Sequence, residues 1–67
     1  MDEVKVSRLR LERLSRGWTA EDVAKHIGVT PAAVLHWETN RAKPTYDKAI
    51  KLADLYKMDI KELFYAH

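Results

Sequence analysis

The sequence predicts an all-α fold built from five short helices, and three observations carry this prediction. Glycine and proline are scarce, with two of each among 67 residues. β-Branched residues do not alternate with polar ones as a half-buried strand requires. Threonines stand just before the apolar-periodic stretches, where helix N-caps are needed. We expect one domain over residues 1–67, close to the smallest size at which a chain folds on a single core.

Helix 1 is predicted over about Lys5 to Arg16, with Gly17 ending it. Its apolar arc comprises Val6, Leu9 and Leu14. Arg10 and Arg13 fall inside this arc, and a buried charge is very costly unless it is paired or reaches water. Glu38, in helix 3, offers a partner. We therefore predict that an Arg13–Glu38 ion pair joins helix 1 to helix 3, the alternative being that both side chains are solvated.

Helix 2 is predicted to begin after Thr19, with Asp22 three residues later as the second member of a capping box. Its apolar stripe comprises Val23, Ala24 and Ile27. Gly28 breaks the helix, because the residue past a helix end commonly needs a positive φ. Trp18, just before the cap, is expected to fill the core, and so is Trp37.

Helix 3 is predicted to follow a Thr30 cap, with Pro31 at its first position, where the missing N–H has no consequence. Val34 and Trp37 turn this helix back toward helix 2. Two short helices joined by a tight turn containing glycine form the helix-turn-helix pattern, here over residues 19–38. The second helix of such a unit is the one presented to the DNA major groove.

The remaining chain predicts two more helices. Asn40 tolerates a left-handed conformation and is expected to end helix 3. Thr45 should cap helix 4, which is predicted over about Tyr46 to Lys57. The inward stripe of helix 4 comprises Ala49, Ile50, Ala53 and Tyr56. Asp59 should cap a short helix 5, with Glu62 completing a capping box; its apolar residues are Ile60, Leu63 and Phe64.

Composition argues against several classes of protein. Cysteine is absent, so no disulfide or thiolate metal site can form, and a reducing cytoplasm is the expected location. No apolar run approaches the roughly 20 residues of a membrane helix, and the N-terminal residues lack a signal-peptide core. The histidines lie apart without ligand spacing, and no Ser-His-Asp spacing or glycine-rich phosphate loop occurs. We expect no enzyme, cofactor, metal or small-molecule ligand.

The net charge is only +2, but it is unevenly distributed. Residues 1–38 carry six basic and six acidic side chains, whereas residues 39–67 carry six basic and four acidic ones. Arg41 and Lys43 lie in the loop just after helix 3, where contacts to DNA phosphates would be wanted. A loop that is simply solvated explains two such charges equally well.

One set of residues occurs in an order and at a spacing typical of a known family. The set comprises Arg13, Gly17, Ala24, the turn Gly28-Val29-Thr30, Val34, Trp37-Glu38, Pro44 and the closing segment from Ala53 to Phe64. In these features the chain resembles the lambda-repressor and Cro type of helix-turn-helix domain, also called the Xre family, over about Leu9 to Phe64. No single motif is strong, but their order and spacing together carry the resemblance.

The resemblance implies a five-helix domain, usually a homodimer, that binds a short operator with dyad symmetry and regulates transcription. With helix 3 in the major groove, the base-reading positions fall on Thr30, Pro31, Ala32, Ala33 and His36, with Leu35 nearby. The phosphate positions fall on Thr19, Ala20, Thr39, Asn40, Arg41 and Lys43. The family's Arg–Glu pair falls on Arg13 and Glu38. His36 is the expected chief base-contacting side chain.

Three departures from the family pattern affect the expected readout. Ala20 stands where a Gln commonly contacts the DNA backbone, and Asn40 replaces the loop glycine. The family often carries Gln, Ser, Arg or Asn where this chain has Pro31, Ala32 and Ala33. Ala and Pro cannot make the bidentate hydrogen bonds that discriminate bases, although Ala can pack on a thymine methyl. We expect modest specificity per half-site, with shape, dimer symmetry or water supplying the rest.

Two functions are therefore weighed. The first is a DNA-binding transcriptional repressor or activator. The second is a protein-interaction module, such as an antitoxin or a partner of another regulator, because Leu35 and the alanines make the outward face of helix 3 apolar. A homodimer through Leu63, Phe64 and Tyr65 is expected, since helix 5 and the tail offer more apolar surface than four helices need to cover. The alternative is that these residues close the monomer core.

Overall fold

The computed structural model describes residues 7–64, and these residues form five helices. The helices are α1 (Arg8–Ser15), α2 (Ala20–Ile27), α3 (Pro31–Glu38), α4 (Tyr46–Tyr56) and α5 (Ile60–Phe64). Within the described residues there is no strand, so the predicted all-α class is confirmed. No helix in this part of the chain has the length and apolar character needed to cross a membrane.

One cluster of buried side chains receives residues from every helix. Its members are Leu9 of α1, Val23, Ala24 and Ile27 of α2, Val34 of α3, Leu52 and Tyr56 of α4, and Leu63 of α5. Trp18 and Trp37 are half-buried and pack against this cluster, as expected. Trp18 stacks on Tyr56 with the ring centroids 5.6 Å apart. The core therefore fixes α2 and α3 against the other three helices.

The helix boundaries follow the caps that the sequence predicts. Three N-cap hydroxyls each accept a hydrogen bond from the backbone N–H three residues later; they belong to Thr19, Thr30 and Thr45. Gly17, Gly28 and Asn40 have positive φ, at 73°, 91° and 62°. They lie just past the ends of α1, α2 and α3, because Gly, and less readily Asn, enters the left-handed region with little strain.

The predicted course of helix 1 needs correction. The helix begins at Arg8, where the Ser7 hydroxyl caps it by accepting a hydrogen bond from the Arg10 N–H. The expected start at Lys5 and the core position of Val6 lie outside the described residues. Arg10 is exposed and Leu14 is 52% exposed, so neither lies on the buried arc. That arc is centred on Leu9 and Arg13, and Leu14 lies about 140° around the helix from Leu9.

The inward stripe of α4 was also predicted incorrectly at one position. Ile50 is 44% exposed, whereas Leu52 is fully buried. Ile50 and Leu52 flank the arc of Ala49 and Tyr56 on opposite sides, and Leu52 belongs to the buried cluster that also contains Leu63 of α5. The helix ends at Tyr56, one residue earlier than predicted, and Lys57 follows in the left-handed region at φ 58°.

Helix α5 closes the monomer core. Leu63 is 2% exposed, so it is not available for the dimer contact expected of it. Phe64 is half-buried against the same core, and Tyr65 lies outside the described residues. The Asp59 carbonyl accepts the first hydrogen bond of α5, from the Leu63 N–H at 3.1 Å, as an N-cap residue does. Within residues 7–64, the side chains of Asp59 and Glu62 do not form the hydrogen bonds of the predicted capping box.

Candidate nucleic-acid interface

The turn between α2 and α3 sets the relative position of the two helices. The N–H groups of Gly28 and Val29 both donate to the Ala24 carbonyl, at 2.7 and 3.0 Å. Ala24 is buried under this turn, where its small side chain lets α3 approach α2 closely. Thr30 then starts α3 by accepting a hydrogen bond from the Ala33 N–H at 3.2 Å. These local hydrogen bonds produce the helix-turn-helix that the sequence predicts.

Helix α3 presents one face to the core and the other to solvent. Val34 and Glu38 are buried, and Trp37 is half-buried beside them. The opposite face carries Pro31, Ala32, Leu35 and His36, all of them exposed. Of the predicted base-reading residues, Ala33 alone is partly turned inward. The structure thus brings the other predicted reading positions, Thr30 included, to one accessible surface.

Leu35 was placed only near the reading positions by sequence reasoning, and it lies within their surface. It is 42% exposed, somewhat less than Leu11 and Leu14 of α1, which are 50% and 52% exposed. It stands one helical turn after Pro31 and three residues after Ala32, so the three share one face. The i, i+4 spacing of Pro31 and Leu35 is the feature of the sequence from which this shared face could have been predicted.

A buried ion pair holds α3 from behind. The Arg13 Nε donates to Glu38 Oε2 at 2.6 Å, and the Arg13 NH2 group donates to Glu38 Oε1 at 3.1 Å. The remaining Arg13 NH1 group donates to the Trp18 carbonyl at 3.0 Å. These hydrogen bonds to Glu38 raise the pKa of the Arg13 guanidinium. The predicted pair is therefore present, and it ties α1, the segment before α2 and the end of α3 together.

A second arginine of α1, Arg16, which sequence reasoning missed, also joins this helix to its neighbours. Arg16 donates from NH1 to Glu12 Oε1 and from NH2 to the Tyr56 carbonyl, both at 2.6 Å. Its guanidinium carbon lies 5.8 Å from the centre of the Trp18 ring and 5.0 Å from that of Tyr56. The hydrogen bond from Arg16 is the main reason that the pKa of Glu12 is lowered. Arg16 thereby joins α1 to the end of α4.

The start of α2, where Thr19 and Ala20 are the predicted phosphate positions, already carries acidic groups. The Thr19 hydroxyl accepts from the Asp22 N–H at 3.0 Å, and Asp22 Oδ2 accepts from the Thr19 N–H at 2.9 Å. This backbone hydrogen bond lowers the pKa of Asp22. Glu21 is exposed beside it. A phosphate here would meet the amides of the first turn but also two carboxylates.

The loop after α3 is basic, in contrast to the acidic start of α2. Arg41 and Lys43 are exposed, and no side chain within residues 7–64 forms a salt bridge with either. The N–H groups of Arg41 and Ala42 donate back to the His36 carbonyl, at 2.9 and 3.3 Å. The Thr39 hydroxyl donates to the Leu35 carbonyl at 3.0 Å. Since these backbone amides are engaged, a phosphate at this loop would depend on the cationic side chains.

The described residues offer nothing that resembles a metal centre. Within residues 7–64, no group of three or more His, Cys, Asp or Glu side chains is placed to hold an ion. Helix α3 and its loop, in contrast, present an exposed helix face bordered by the positive charges of Arg41 and Lys43.

Comparisons with known proteins agree with this geometry. The helix-turn-helix family model matches residues 9–63 of the chain. Among solved structures, the chain is similar to the P22 c2 repressor protein, solved in complex with synthetic operator 9T in the presence of Tl+. The two are 20% identical with a TM-score of 0.85, over 90% of this chain and 91% of the other, a likeness that shows the fold. No curated protein sequence matches. Because the family match spans most of its length, the chain belongs to the helix-turn-helix family of the Cro/C1 type, a family of DNA-binding transcription regulators.

Proposed function

We propose that this protein is a transcriptional repressor that binds a short operator with dyad symmetry and inserts α3 into the major groove. One observation carries the proposal: the Arg13–Glu38 pair holds α3 from behind, and the helix exposes its outer face beside two cations that form no salt bridge within residues 7–64. A rigid, exposed helix next to positive charge is the arrangement that groove readout requires. The similarity to a repressor solved in complex with a synthetic operator supports operator DNA as the partner.

The loop after α3 supplies the main phosphate contacts in this proposal. Arg41 and Lys43 attract the DNA phosphate backbone, and the exposed Thr39 and Asn40 lie between these two residues and α3. Each phosphate neutralised by a cation steepens the dependence of log affinity on log salt by about 0.9. Thr19 and Ala20 contribute a weaker contact at the start of α2, because Glu21 and Asp22 repel the same phosphate.

Base reading falls to the outer face of α3. His36 is exposed and its side chain forms no hydrogen bond within residues 7–64, so its imidazole is available to a base edge. Thr30 retains a hydroxyl proton to donate, since its oxygen serves as the acceptor in the helix cap. Pro31, Ala32 and Ala33 offer apolar contact only.

A dyad-symmetric operator implies two copies of the chain on two half-sites about one helical turn, roughly 10 base pairs, apart. We place the dimer contact at the C-terminal helix, with Phe64 as its accessible member, because Leu63 is committed to the monomer core. Sedimentation equilibrium with and without DNA tests this contact. A Phe64→Glu variant that still folds should sediment as a monomer and lose affinity for a two-half-site duplex.

The proposal is tested by selecting bound duplexes from a random-sequence pool and measuring affinity at several salt concentrations. We expect a recovered sequence with two inverted half-sites, bound tightly and with a steep salt dependence. A reporter placed behind that sequence should then be switched off by the protein. Binding that is weak and indifferent to sequence would overturn the proposal.

A second candidate is a module that binds another protein, which the exposure of Leu35 favours. Here the outer face of α3 would contact an apolar surface rather than a groove. This candidate predicts no selected sequence in the random pool. It also predicts weak salt dependence, because apolar burial releases no counterions.

A further inference from the structure

A cleft with a volume of about 120 Å³ lies between the loop that follows α3 and the helices α4 and α5. Trp37 and Phe64 line it, together with the buried Ala49 of α4. Pro44 adds further apolar surface from the loop. An apolar protein cavity of about 150 Å³ is large enough to hold benzene. The cleft therefore suits a ligand that is built on a single six-membered ring.

The side chains that line the cleft also offer hydrogen-bond donors and one positive charge. Lys43 is exposed and forms no salt bridge within residues 7–64. The side chains of Asn40 and Trp37 form no hydrogen bond within the same residues, so an amide and an indole N–H are available. None of the lining residues is acidic. This combination favours an aromatic ligand that carries a negative charge.

Backbone hydrogen bonds hold the loop wall of the cleft in place. The Asn40 N–H donates to the Trp37 carbonyl at 3.4 Å, and the N–H groups of Arg41 and Ala42 donate to the His36 carbonyl. The cleft is therefore preformed, as most small-molecule sites are. Its lining comes from three helices and a loop, so no motif in the sequence indicates it.

We propose that this cleft binds a monocyclic aromatic carboxylate, whose ring lies between Trp37 and Phe64 and whose carboxylate pairs with Lys43. Lys43 is also one of the two cations that contact DNA phosphates in the proposed function. A bound carboxylate neutralises this cation, so it weakens DNA binding and acts as an inducer. The binding step is independent of the proposed function, whereas the effect on DNA rests on it.

A second copy of the chain is the competing occupant, because Phe64 is also the proposed dimer contact. The two copies of a symmetric dimer present the same residues to each other. A dimer centred on the cleft would bring two Lys43 side chains together, and facing like charges oppose association. A small anion compensates the same charge, which favours the ligand.

The first arm of the test measures the binding of three small probes by two-dimensional proton–nitrogen NMR. Benzoate has the ring and the charge, benzyl alcohol has the ring alone, and acetate has the carboxylate alone. Benzoate should shift the indole N–H signal of Trp37 saturably and leave that of Trp18 unchanged, since Trp18 does not line the cleft. We expect a dissociation constant on the order of 1 mM for so small a ligand.

The other two probes separate the contributions of ring and charge. Benzyl alcohol should bind about two- to five-fold more weakly than benzoate, the range for loss of one exposed ion pair. Acetate should leave the Trp37 signal unchanged. Equal shifts from acetate and benzoate would show a response to anions in general and would count against the site.

Protein variants show whether the cleft forms the binding site. Lys43→Gln should bind benzoate and benzyl alcohol with nearly equal affinity. Lys25→Gln removes the same charge from the exposed face of α2 and should retain the difference. Ala42→Phe introduces a ring from an exposed lining position, so it should block benzoate without disturbing the core. Circular dichroism checks that the variants are folded. A Lys43→Gln variant that keeps the wild-type ratio would overturn the assignment.

The second arm asks whether the ligand weakens DNA binding. Fluorescence anisotropy measures the affinity for a duplex recovered from the random pool at several salt concentrations, with benzoate or with acetate at the same concentration. Benzoate should lower the slope of log affinity against log salt by about 0.9 per bound chain, because one phosphate contact is lost. Lys43→Ala should show no such effect. Equal slopes with the two anions would contradict the inducer role.

The outcomes separate this inference from the proposed function. The absence of a saturable benzoate shift at Trp37 overturns the ligand site and leaves the regulator proposal intact. If Ala42→Phe then sediments as a monomer and the wild type as a dimer, the cleft is assigned to the second copy. A random pool that yields no preferred sequence overturns the proposed function and the effect on DNA, whereas benzoate binding is decided by NMR alone.

Discussion

Helices α2 and α3 have the same length, eight residues, and each begins after a threonine whose hydroxyl accepts a backbone N–H. Their inner faces are alike, since both contribute to the same buried cluster. Their outer faces differ. The exposed residues of α2 are Glu21, Asp22, Lys25 and His26, whereas those of α3 are Pro31, Ala32, Leu35 and His36.

This difference separates a helix that supports the fold, α2, from a helix whose outer face is free to contact another molecule, α3. The outer face of α2 is charged, as is usual for an amphipathic surface helix. The outer face of α3 is mostly apolar, and the Arg13–Glu38 pair holds the helix in place from behind. In the proposed function, α2 positions α3, and α3 makes the intermolecular contacts.

The largest expected effect comes from removing the clamp behind α3. Glu38→Ala leaves the Arg13 guanidinium buried without its partner, so the free energy of unfolding should fall by about 3–5 kcal/mol. For a domain of this size that loss removes most of the stability, which is on the order of 0.05–0.15 kcal/mol per residue. Urea denaturation followed by tryptophan fluorescence measures it.

The control removes a carboxylate from the outer face of α2. Glu21→Ala should change the free energy of unfolding by less than about 1 kcal/mol, since the side chain is exposed. Equal losses for the two variants would mean that the buried pair does not hold α3 in place.

The next effect concerns the phosphate contacts beside α3. Replacing Arg41 and Lys43 together by Ala should lower the slope of log affinity against log salt by about 1.8, because two phosphate contacts are lost. The control replaces Lys25 of α2 and Lys61 of α5, which changes the net charge equally. If that pair lowers the slope as much, net charge rather than the loop determines binding. Titrations from low to moderate salt give the slopes.

Matched cap variants compare the two helices directly. Thr19→Ala and Thr30→Ala should each lower the free energy of unfolding by about 1 kcal/mol, since each removes an N-cap acceptor. Their effects on DNA should differ in kind. Thr19→Ala removes a phosphate contact and should weaken binding equally for all sequences, whereas Thr30→Ala removes a base contact and should relax sequence preference. Identical binding profiles for the two variants would contradict the assignment of reading to α3.

The smallest effect reports on the packing beneath both helices. Tyr56 stacks on Trp18, and its buried hydroxyl has no hydrogen-bond partner among the described residues. Burial raises the pKa of this hydroxyl from 10.0 to about 12. The folded protein therefore holds a proton that the unfolded chain releases. This contribution to stability is complete below pH 10 and declines as the pH rises from about 10 toward about 12.

Phenylalanine at this position removes the titrating group and keeps the aromatic stack. Tyr56→Phe should be as stable as the wild type near neutral pH, because no hydrogen bond is lost. Its alkaline decline should be smaller. Tyr46→Phe is the control, since Tyr46 is 73% exposed. Thermal unfolding at a series of pH values between 8 and 12 separates the variants, and equal alkaline declines would show that the Tyr56 hydroxyl is not shielded.

The features that sequence reasoning predicted correctly are mostly local. A threonine cap, a glycine with positive φ and a proline at N1 each depend on a few neighbouring residues, so Thr19, Gly28, Thr30 and Pro31 were placed correctly. The Arg13–Glu38 pair joins distant residues and was still predictable, because a charge on an apolar arc requires a partner.

The errors arose where burial depends on how helices pack. Leu14 and Ile50 are apolar and lie near buried arcs, yet both are exposed. Whether Ile50 or Leu52 faces the core depends on how the other helices pack on α4, and no local signal contains that information. For the candidate site, the predicted reading positions come from the resemblance to the Cro-type family. Placing Leu35 on the same face required the exposed surface itself.

The central claim is that the outer face of α3 is the surface that binds DNA, and one matched pair of variants tests it most directly. Leu35→Glu and Leu11→Glu make the same substitution at leucines that are 42% and 50% exposed, on α3 and α1. The account predicts that Leu35→Glu weakens binding to the selected duplex by at least about 100-fold, because a carboxylate facing DNA is strongly repelled. Leu11→Glu should bind within a few-fold of the wild type. Equal affinities for the two folded variants would contradict the account.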